Sequence, residues 1–321
     1  MSHSSFNFFK NIIRRSKSSA SYTPSIVAPP FNSGHLSVGD GHLVYFEEWG
    51  SKGGVPILVL HGGPGASFND SHKALFDPRR HHVVLFDQRG CGKSTPSGKL
   101  AFNDTLTLLN DIDLVRNHVG FQKPINVAGG SWGATLALLY AEQRPDTVRE
   151  LLLWSTFLGT KDEAHAPLGK QPLDPNFPHP HAWQQFIKLI PARHRATPAE
   201  IIEYSFATLN SLDFFSAFDL AVAYSVYDTA TCNSPSFNET ATRKSAEDDP
   251  LTLIAAKVQL YYFHNNFFIQ EGAILTNLPR IRHIRANVVH GRYDWCTLPR
   301  ASELLRDTYG DRMTLHLVDS G

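Results

Sequence analysis

The stretch "NVAGGSWGATLALLYA" (126–141) holds a short apolar run, two glycines, a serine and then a longer apolar segment. The first run predicts a buried strand and the last segment a helix, so Ser131 falls at the turn between them. Glycines at positions 129 and 133 leave room for a sharp turn, and the start of a helix favours developing negative charge. This G-x-S-x-G pattern between strand and helix predicts that Ser131 is a nucleophile.

A second glycine-rich loop precedes this turn in the chain. "LVLHGGPG" (58–65) places the loop directly after another apolar run. In acyl-transfer enzymes of this layout, such a loop gives one backbone N–H to the oxyanion hole, and the residue after the nucleophile gives the other. We therefore predict oxyanion donors at Gly62, Gly63 and Trp132.

The order of apolar segments predicts an α/β fold with a mostly parallel sheet and helices on both faces. Continuous apolar runs are typical of strands buried on both faces, and here they alternate with helical patterns. The predicted strands are 42–50 (as an outer strand), 55–60, 82–87, 124–130, 149–155, 286–291 and 313–318.

The pattern changes in the middle of the chain, where helical segments follow one another without strands between them. "TPAEIIEYSFATL" (197–209) begins one of these helices with a capping box. We interpret this region as an α-helical cap inserted into the sheet domain. The predicted divisions are a basic, Ser-rich tail (1–39), a first core part (40–158), the cap (159–274) and a second, incomplete core part (275–321).

A candidate acid follows a later strand. In "VVHGRYDW" (288–295) the strand ends at His290, and Asp294 comes four residues later in the loop. A carboxylate at this place, after the nucleophile in chain order, is typical of a Ser-Asp-His triad. We therefore predict that Asp294 is the acid of the triad.

Composition excludes several other classes of protein. Acidic and basic side chains balance at 30 each, so total charge gives no sign of nucleic acid or an anionic membrane as partner. "GCGKS" (90–94) is not a phosphate-binding loop, because Asp87 stands where the first glycine is required. The 16 histidines show no metal-ligand spacing. We expect no cofactor and no metal.

Two features bear on location. Three scattered cysteines without a CxxC pair are typical of a reducing compartment, and no apolar run is long enough to span a membrane. We therefore expect a cytoplasmic protein. Phe8, Ile12 and Arg15 lie at helical spacing in the basic tail, so a mitochondrial presequence stays an alternative to a disordered tail.

Four motifs together resemble the proline iminopeptidase (prolyl aminopeptidase) family of α/β hydrolases. They are "HGGPG" (61–65), "FDQRGCGKS" (86–94), "GGSWGATLALLYA" (129–141) and "HGRYD" (290–294). The resemblance implies the α/β-hydrolase fold and a serine hydrolase that removes N-terminal proline, or a similar residue, through an acyl-enzyme and without a metal. It implies that Ser131 is the nucleophile, that Asp294 orients the base, and that the partner is a small peptide or small-molecule substrate. The oligomeric state stays open.

The general base is not visible in the sequence. By the resemblance, a histidine follows the last strand, but the sequence reaches Gly321 three residues after that strand. His316 falls inside the strand, and His290 precedes the acid. We expect the histidine to follow Gly321, and residues 1–321 alone to be nearly inert. A fragment of an active enzyme and a natural non-catalytic relative both stay open.

The resemblance also implies substrate contacts from Phe157, Gln259 and Glu271. Gln259, in "KVQLYYF" (257–263), stands where the family has a glutamate, and Glu271 lies near a second one. Trp154 replaces a family arginine. A neutral Gln259 supplies no charge for a substrate ammonium group. The alternatives are therefore a hydrolase of other small esters or amides, or a non-catalytic scaffold.

Overall fold

A central sheet of eight strands organises the computed structural model, which describes residues 28–232 and 236–320. The strand order is β1-β2-β4-β3-β5-β6-β7-β8. β1 and β2 run antiparallel to their neighbours, and the pairs from β4 to β8 are parallel. The strands are β1 (Asn32–Gly39), β2 (His42–Gly50), β3 (Val55–Leu60), β4 (His81–Phe86), β5 (Ile125–Ser131), β6 (Val148–Thr156), β7 (Arg285–Gly291) and β8 (Met313–Val318).

Helices surround and extend this sheet. Within the described residues they are α1 (Asp70–Lys73), α2 (Thr105–His118), α3 (Trp132–Gln143), α4 (Lys161–His165), α5 (Pro180–Ile187), α6 (Pro198–Leu209), α7 (Phe214–Cys232), α8 (Glu239–Asp248), α9 (Thr252–His264), α10 (Ala273–Asn277) and α11 (Pro299–Tyr309). Short 3₁₀ turns connect several of them. No helix in the described part is long and apolar enough to cross a bilayer.

Both faces of the sheet are buried, as the continuous apolar runs predicted. Leu58 and Leu60 of β3 pack into the cluster that contains α2, α3 and α11. Ile57 and Val59 of the same strand point to the other face, against Phe76 after α1. The prediction of an α/β fold with a mostly parallel sheet is confirmed. Since β3, β5, β6 and β7 are parallel, the loops after them meet at one edge.

The N-terminal edge differs from our expectation in two respects. Residues 32–39, which we placed in the tail, form β1, and β1 pairs with β2, so β2 is not the outer strand. The signal was weak because Leu36 and Val38 are the strand's two large apolar residues. The predicted presequence pattern lies outside the described residues.

Helices occupy the segment predicted as a cap. Between the end of β6 and the start of β7, the described residues contain α4 to α10 and no strand. Side chains such as Phe186, Tyr227 and Leu260 form an apolar cluster of their own. The Tyr262 hydroxyl of α9 donates to Asn103 below, at 2.9 Å. The cap's boundaries as a domain stay a prediction.

Candidate active site

Ser131 ends β5 and immediately precedes α3, at the sharp turn that its flanking glycines predicted. Its φ of 52° and ψ of −124° lie where side chains other than glycine are rarely found. Such a backbone costs about 1–3 kcal/mol, and strain of this kind is concentrated at functional sites. A Cβ at Gly133 would lie 2.1 Å from the carbonyl oxygen of Leu60. The glycine therefore lets α3 approach β3 closely enough to form the turn.

The glycine-rich loop after β3 lies against this serine. A Cβ added to Gly62 would lie 3.4 Å from Ser131 Cβ and 3.9 Å from its Oγ. Gly63 and Ser131 line the same pocket. Trp132 is fully buried at the first turn of α3. The structure thus brings the predicted oxyanion residues together around Ser131, and their role stays a prediction.

A buried polar network holds the glycine-rich loop in place. His61 Nδ1 donates to the carbonyl oxygen of Gly62 at 2.8 Å, and its Nε2 accepts the backbone N–H of Gln88 at 2.9 Å. The Gln88 side chain donates to the carbonyl oxygen of His61 and accepts the indole N–H of Trp132. The two predicted sources of oxyanion donors are therefore tied to each other through Gln88.

This network requires a neutral histidine. Burial lowers the pKa of His61 to about 4, which outweighs the opposing effect of the hydrogen bond to Gly62. Because Nε2 accepts a backbone N–H, protonation at that atom would break the bond to Gln88.

We expect acid to destabilise the protein through His61. The unfolded chain takes up this proton near pH 6.5 and the folded protein only near pH 4, so stability present above pH 6.5 is lost on acidification. The contribution is about 3 kcal/mol. Urea unfolding of wild type and His61→Gln between pH 7 and pH 4 measures this contribution. Other groups titrate in both proteins, so the difference between the two pH profiles belongs to His61. If the unfolding free energies of the two proteins changed by the same amount across that pH range, His61 would not be the source of the acid sensitivity.

The loop after β7 holds Asp294 at the same edge of the sheet. The carboxylate is 5% exposed and accepts the backbone N–H groups of Cys296 and Thr297, each at 2.9 Å. It also accepts the Thr297 hydroxyl at 2.9 Å. Cys296 and Thr297 line the pocket that contains Ser131. The position suits a triad acid, which stays a prediction.

His290 serves this loop and not Ser131. Its Nε2 lies 2.6 Å from the carbonyl oxygen of Thr297 and 3.5 Å from the carboxylate of Asp294. Its Nδ1 lies 2.6 Å from the Ser302 hydroxyl. With both ring nitrogens engaged, His290 is not available to take the serine proton. His316 lies within β8, so neither histidine is assigned as the general base.

A pocket opens between the cap and the sheet edge at Ser131. Phe157 follows β6, and its carbonyl oxygen accepts the Thr135 hydroxyl of α3 at 2.6 Å. The pocket is lined by Gly63, Ser131, Phe157, Glu163, Pro167, Leu168, Tyr224, Tyr227, Asp228, Thr231, Gln259, Phe263, Cys296 and Thr297.

Two of the predicted substrate residues, Phe157 and Gln259, are therefore in this pocket, whereas Glu271 is not. Glu271 is exposed and accepts the backbone N–H of Lys161 at 3.1 Å. The reason is local: positive φ angles at residues 266–268 turn the chain and bury Phe267, which leaves Glu271 at the surface. Its predicted contact with substrate does not fit this geometry.

Two carboxylates do line the pocket, and their surroundings differ. Glu163 caps α4 and accepts the N–H groups of Leu158 and Thr160 together with the Thr160 hydroxyl. Asp228 on α7 accepts the side-chain amide of Gln259 at 3.2 Å. Within the described residues, Asp228 forms no ion pair. Burial raises its pKa to about 6.

Comparison with known proteins gives the family. The α/β-hydrolase fold family matches residues 55–321. A proline iminopeptidase of Arabidopsis thaliana is 38% identical over 270 residues, which cover 83% of this chain and 68% of the relative. One of Xylella fastidiosa is 37% identical over 279 residues, covering 86% of each. The chain belongs to the proline iminopeptidase family of α/β hydrolases. The resemblance inferred from the motifs is therefore confirmed, as is the prediction of a prolyl aminopeptidase-like serine hydrolase.

Solved structures agree with this proline iminopeptidase fold. The proline iminopeptidase-related protein of Thermus thermophilus matches with a TM-score of 0.59 at 18% identity, covering 89% of this chain and 88% of that one. The proline iminopeptidase of Mycobacterium smegmatis matches with a TM-score of 0.57 at 19% identity, covering 90% and 91%. At these identities the likeness shows the fold alone.

Most of the cap residues that line the pocket were not predicted from the sequence, and Asp228 is the most important of them. Asp228 is the one charged residue in the stretch "AVAYSVYDTATC" (221–232). A single acid in an otherwise uncharged stretch of this length lies either at the surface or at a functional site. The sequence does not distinguish these two cases for Asp228, because the residues that surround it in the pocket come from distant segments.

Proposed function

We propose that this protein removes N-terminal proline, or a similar small residue, from short peptides through an acyl-enzyme on Ser131. One observation carries the proposal: Asp228 is a carboxylate without a cationic partner among the described residues, in the pocket that Ser131 lines. An aminopeptidase requires such a group to hold the positive charge of the substrate's terminus.

The electrostatic environment of Asp228 supports this role. A carboxylate in a largely apolar pocket is costly unless a cation or several hydrogen bonds compensate for the lost water. Among the described residues the Asp228 carboxylate receives one hydrogen bond, so its remaining lone pairs are available to an N–H donor. A substrate α-ammonium supplies both the charge and the donors. Gln259, which replaces the family glutamate, holds Asp228 through its amide and keeps its own oxygen as an acceptor.

The walls of the pocket suit a small apolar ring beside that charge. Aromatic rings surround it from both the sheet domain and the cap. A pyrrolidine ring gains from contact with such surfaces, and an ammonium is also attracted to ring faces. The rings are those of Phe157, Tyr224, Tyr227 and Phe263.

The proposed chemistry follows from the arrangement around Ser131. Its hydroxyl oxygen attacks the carbonyl carbon of the N-terminal residue, and the N–H groups of Trp132 and of Gly62 or Gly63 bind the resulting oxyanion. The peptide amine then leaves, and water hydrolyses the acyl-enzyme. Asp294 orients the base that carries the proton between these steps.

We expect Asp228→Asn to lower kcat/KM for proline p-nitroanilide about 100-fold, because a hydrogen bond to a charged group contributes about 1.5–3 kcal/mol. N-acetylproline p-nitroanilide has no ammonium, so its slower hydrolysis should not change. The assay uses the full-length protein. Glu163→Gln is the control, since that carboxylate already caps α4. Equal losses for both substrates in Asp228→Asn would contradict the proposed ammonium site.

We also propose a cytoplasmic location, with the mitochondrion as the alternative. Free Cys91, Cys232 and Cys296 support a reducing compartment.

A further inference from the structure

The geometry points to a second site beside the substrate pocket: a binding site for a thiophilic divalent cation such as Zn²⁺, formed by Asp228, Cys232 and Cys296. One ligand atom from each of the three side chains lies within 4.8 Å of the other two. Two thiol sulfurs with a carboxylate oxygen form a donor set that suits zinc.

The fold brings these residues together from two parts of the chain. Asp228 and Cys232 are four residues apart on α7, so they lie on the same side of the helix. Cys296 lies in the loop of Asp294, and the N–H of neighbouring Trp295 donates to the carbonyl oxygen of Thr231 at 3.3 Å. That bond fixes the end of α7 against the loop. No sequence spacing could have indicated this set, since 64 positions separate the two cysteines.

The distances fit an ion with small movements of the side chains. Zinc binds cysteine sulfur at about 2.3 Å and carboxylate oxygen at about 2.1 Å, so ligand atoms on a tetrahedral ion are about 3.5 Å apart. On binding, each thiol loses its proton to the solvent and forms a Zn–S bond, while Asp228 binds through an oxygen it already exposes to the pocket. Asp228 and Cys296 line that pocket, so an ion bound by them would lie at the pocket wall.

Electrostatics favours a cation here. Among the described residues, no lysine, arginine or histidine pairs with Asp228. A bound ion would occupy the carboxylate that we assign to the substrate ammonium, so it would inhibit the enzyme by competing with substrate. That consequence rests on the proposed function, whereas the metal site itself does not.

The test measures metal binding directly. Full-length protein, reduced and freed of metal, is titrated with Zn²⁺ alone in competition with a chromophoric chelator. We expect one ion per chain, with the affinity falling at least about 100-fold in Cys232→Ser and in Cys296→Ser, because even residues that only support a ligand contribute about 10–100-fold. Co²⁺ in place of Zn²⁺ should show thiolate-to-cobalt charge-transfer absorption, which is weaker in both variants because each keeps one of the two thiolates.

Cys91→Ser is the matched control, since Cys91 is buried after β4 and donates to the carbonyl oxygen of Arg89. It should bind Zn²⁺ as wild type does. Absence of stoichiometric binding in protein whose cysteines are all reduced would overturn the site, as would equal affinity in all three cysteine variants. A Cys232–Cys296 disulfide that persists in reducing buffer would overturn it too. None of these outcomes depends on peptidase activity, so they leave the proposed function untouched.

Discussion

Ser131→Ala is expected to lower kcat on proline p-nitroanilide about a million-fold, the cost of removing the nucleophile of a serine triad. The backbone at this position is already in a strained conformation that serves no purpose without the hydroxyl. What survives is oxyanion stabilisation and substrate binding, so KM should change little. Steady-state kinetics with the full-length protein measures both parameters.

Labelling separates a lost nucleophile from a lost fold. A fluorophosphonate probe should modify wild type once and Ser131→Ala not at all, while urea unfolding of the two proteins agrees within about 1 kcal/mol. Ser155→Ala is the matched control, because Ser155 near the end of β6 also has a positive φ, of 44°. Its labelling should equal that of wild type. Retained turnover in Ser131→Ala would remove Ser131 from the reaction.

The elements around this serine were predictable because local sterics decides them. A strand buried on both faces requires a continuous apolar run, and a sharp turn with a helix packed against β3 requires glycine at 129 and 133. Both requirements are met by residues that are close together in the sequence. The glycine-rich loop after β3 is equally local, so its position beside Ser131 could be predicted as well.

The substrate side of the site was less predictable because it depends on packing between distant segments. Gln259 alone suggested that the charge for an ammonium group had been lost. The structure places Asp228, from a different helix, within hydrogen-bonding distance of the Gln259 amide. Glu271 was the alternative carboxylate, but the turn at residues 266–268 moves it to the surface. Neither the contact between Asp228 and Gln259 nor the surface position of Glu271 can be inferred from the spacing of these residues in the sequence.

The role of His290, in the loop that contains Asp294, also depends on packing between distant segments. The sequence argued against His290 as the base, because this histidine closes the strand before Asp294. In the fold its ring is buried between Ser302 and Thr297, and Ser302 in turn bonds Thr156 of β6 at 2.5 Å. The histidine therefore fixes the loop that presents Asp294. Because other residues fix this loop, the charge of Asp294 can be removed by mutation while the loop keeps its conformation.

Asp294→Asn should lower kcat about 10⁴-fold, since a triad acid holds the imidazole in its tautomer and stabilises the imidazolium. The asparagine oxygen still accepts the N–H groups of Cys296 and Thr297, so the loop keeps its conformation. Thr297→Val is the control: it removes the hydroxyl bond to Asp294 and leaves the charge. Kinetics and thermal unfolding of both variants distinguish a loss of the catalytic charge from a loss of loop structure. If Thr297→Val loses as much activity as Asp294→Asn, the carboxylate supports the loop and the triad acid lies elsewhere.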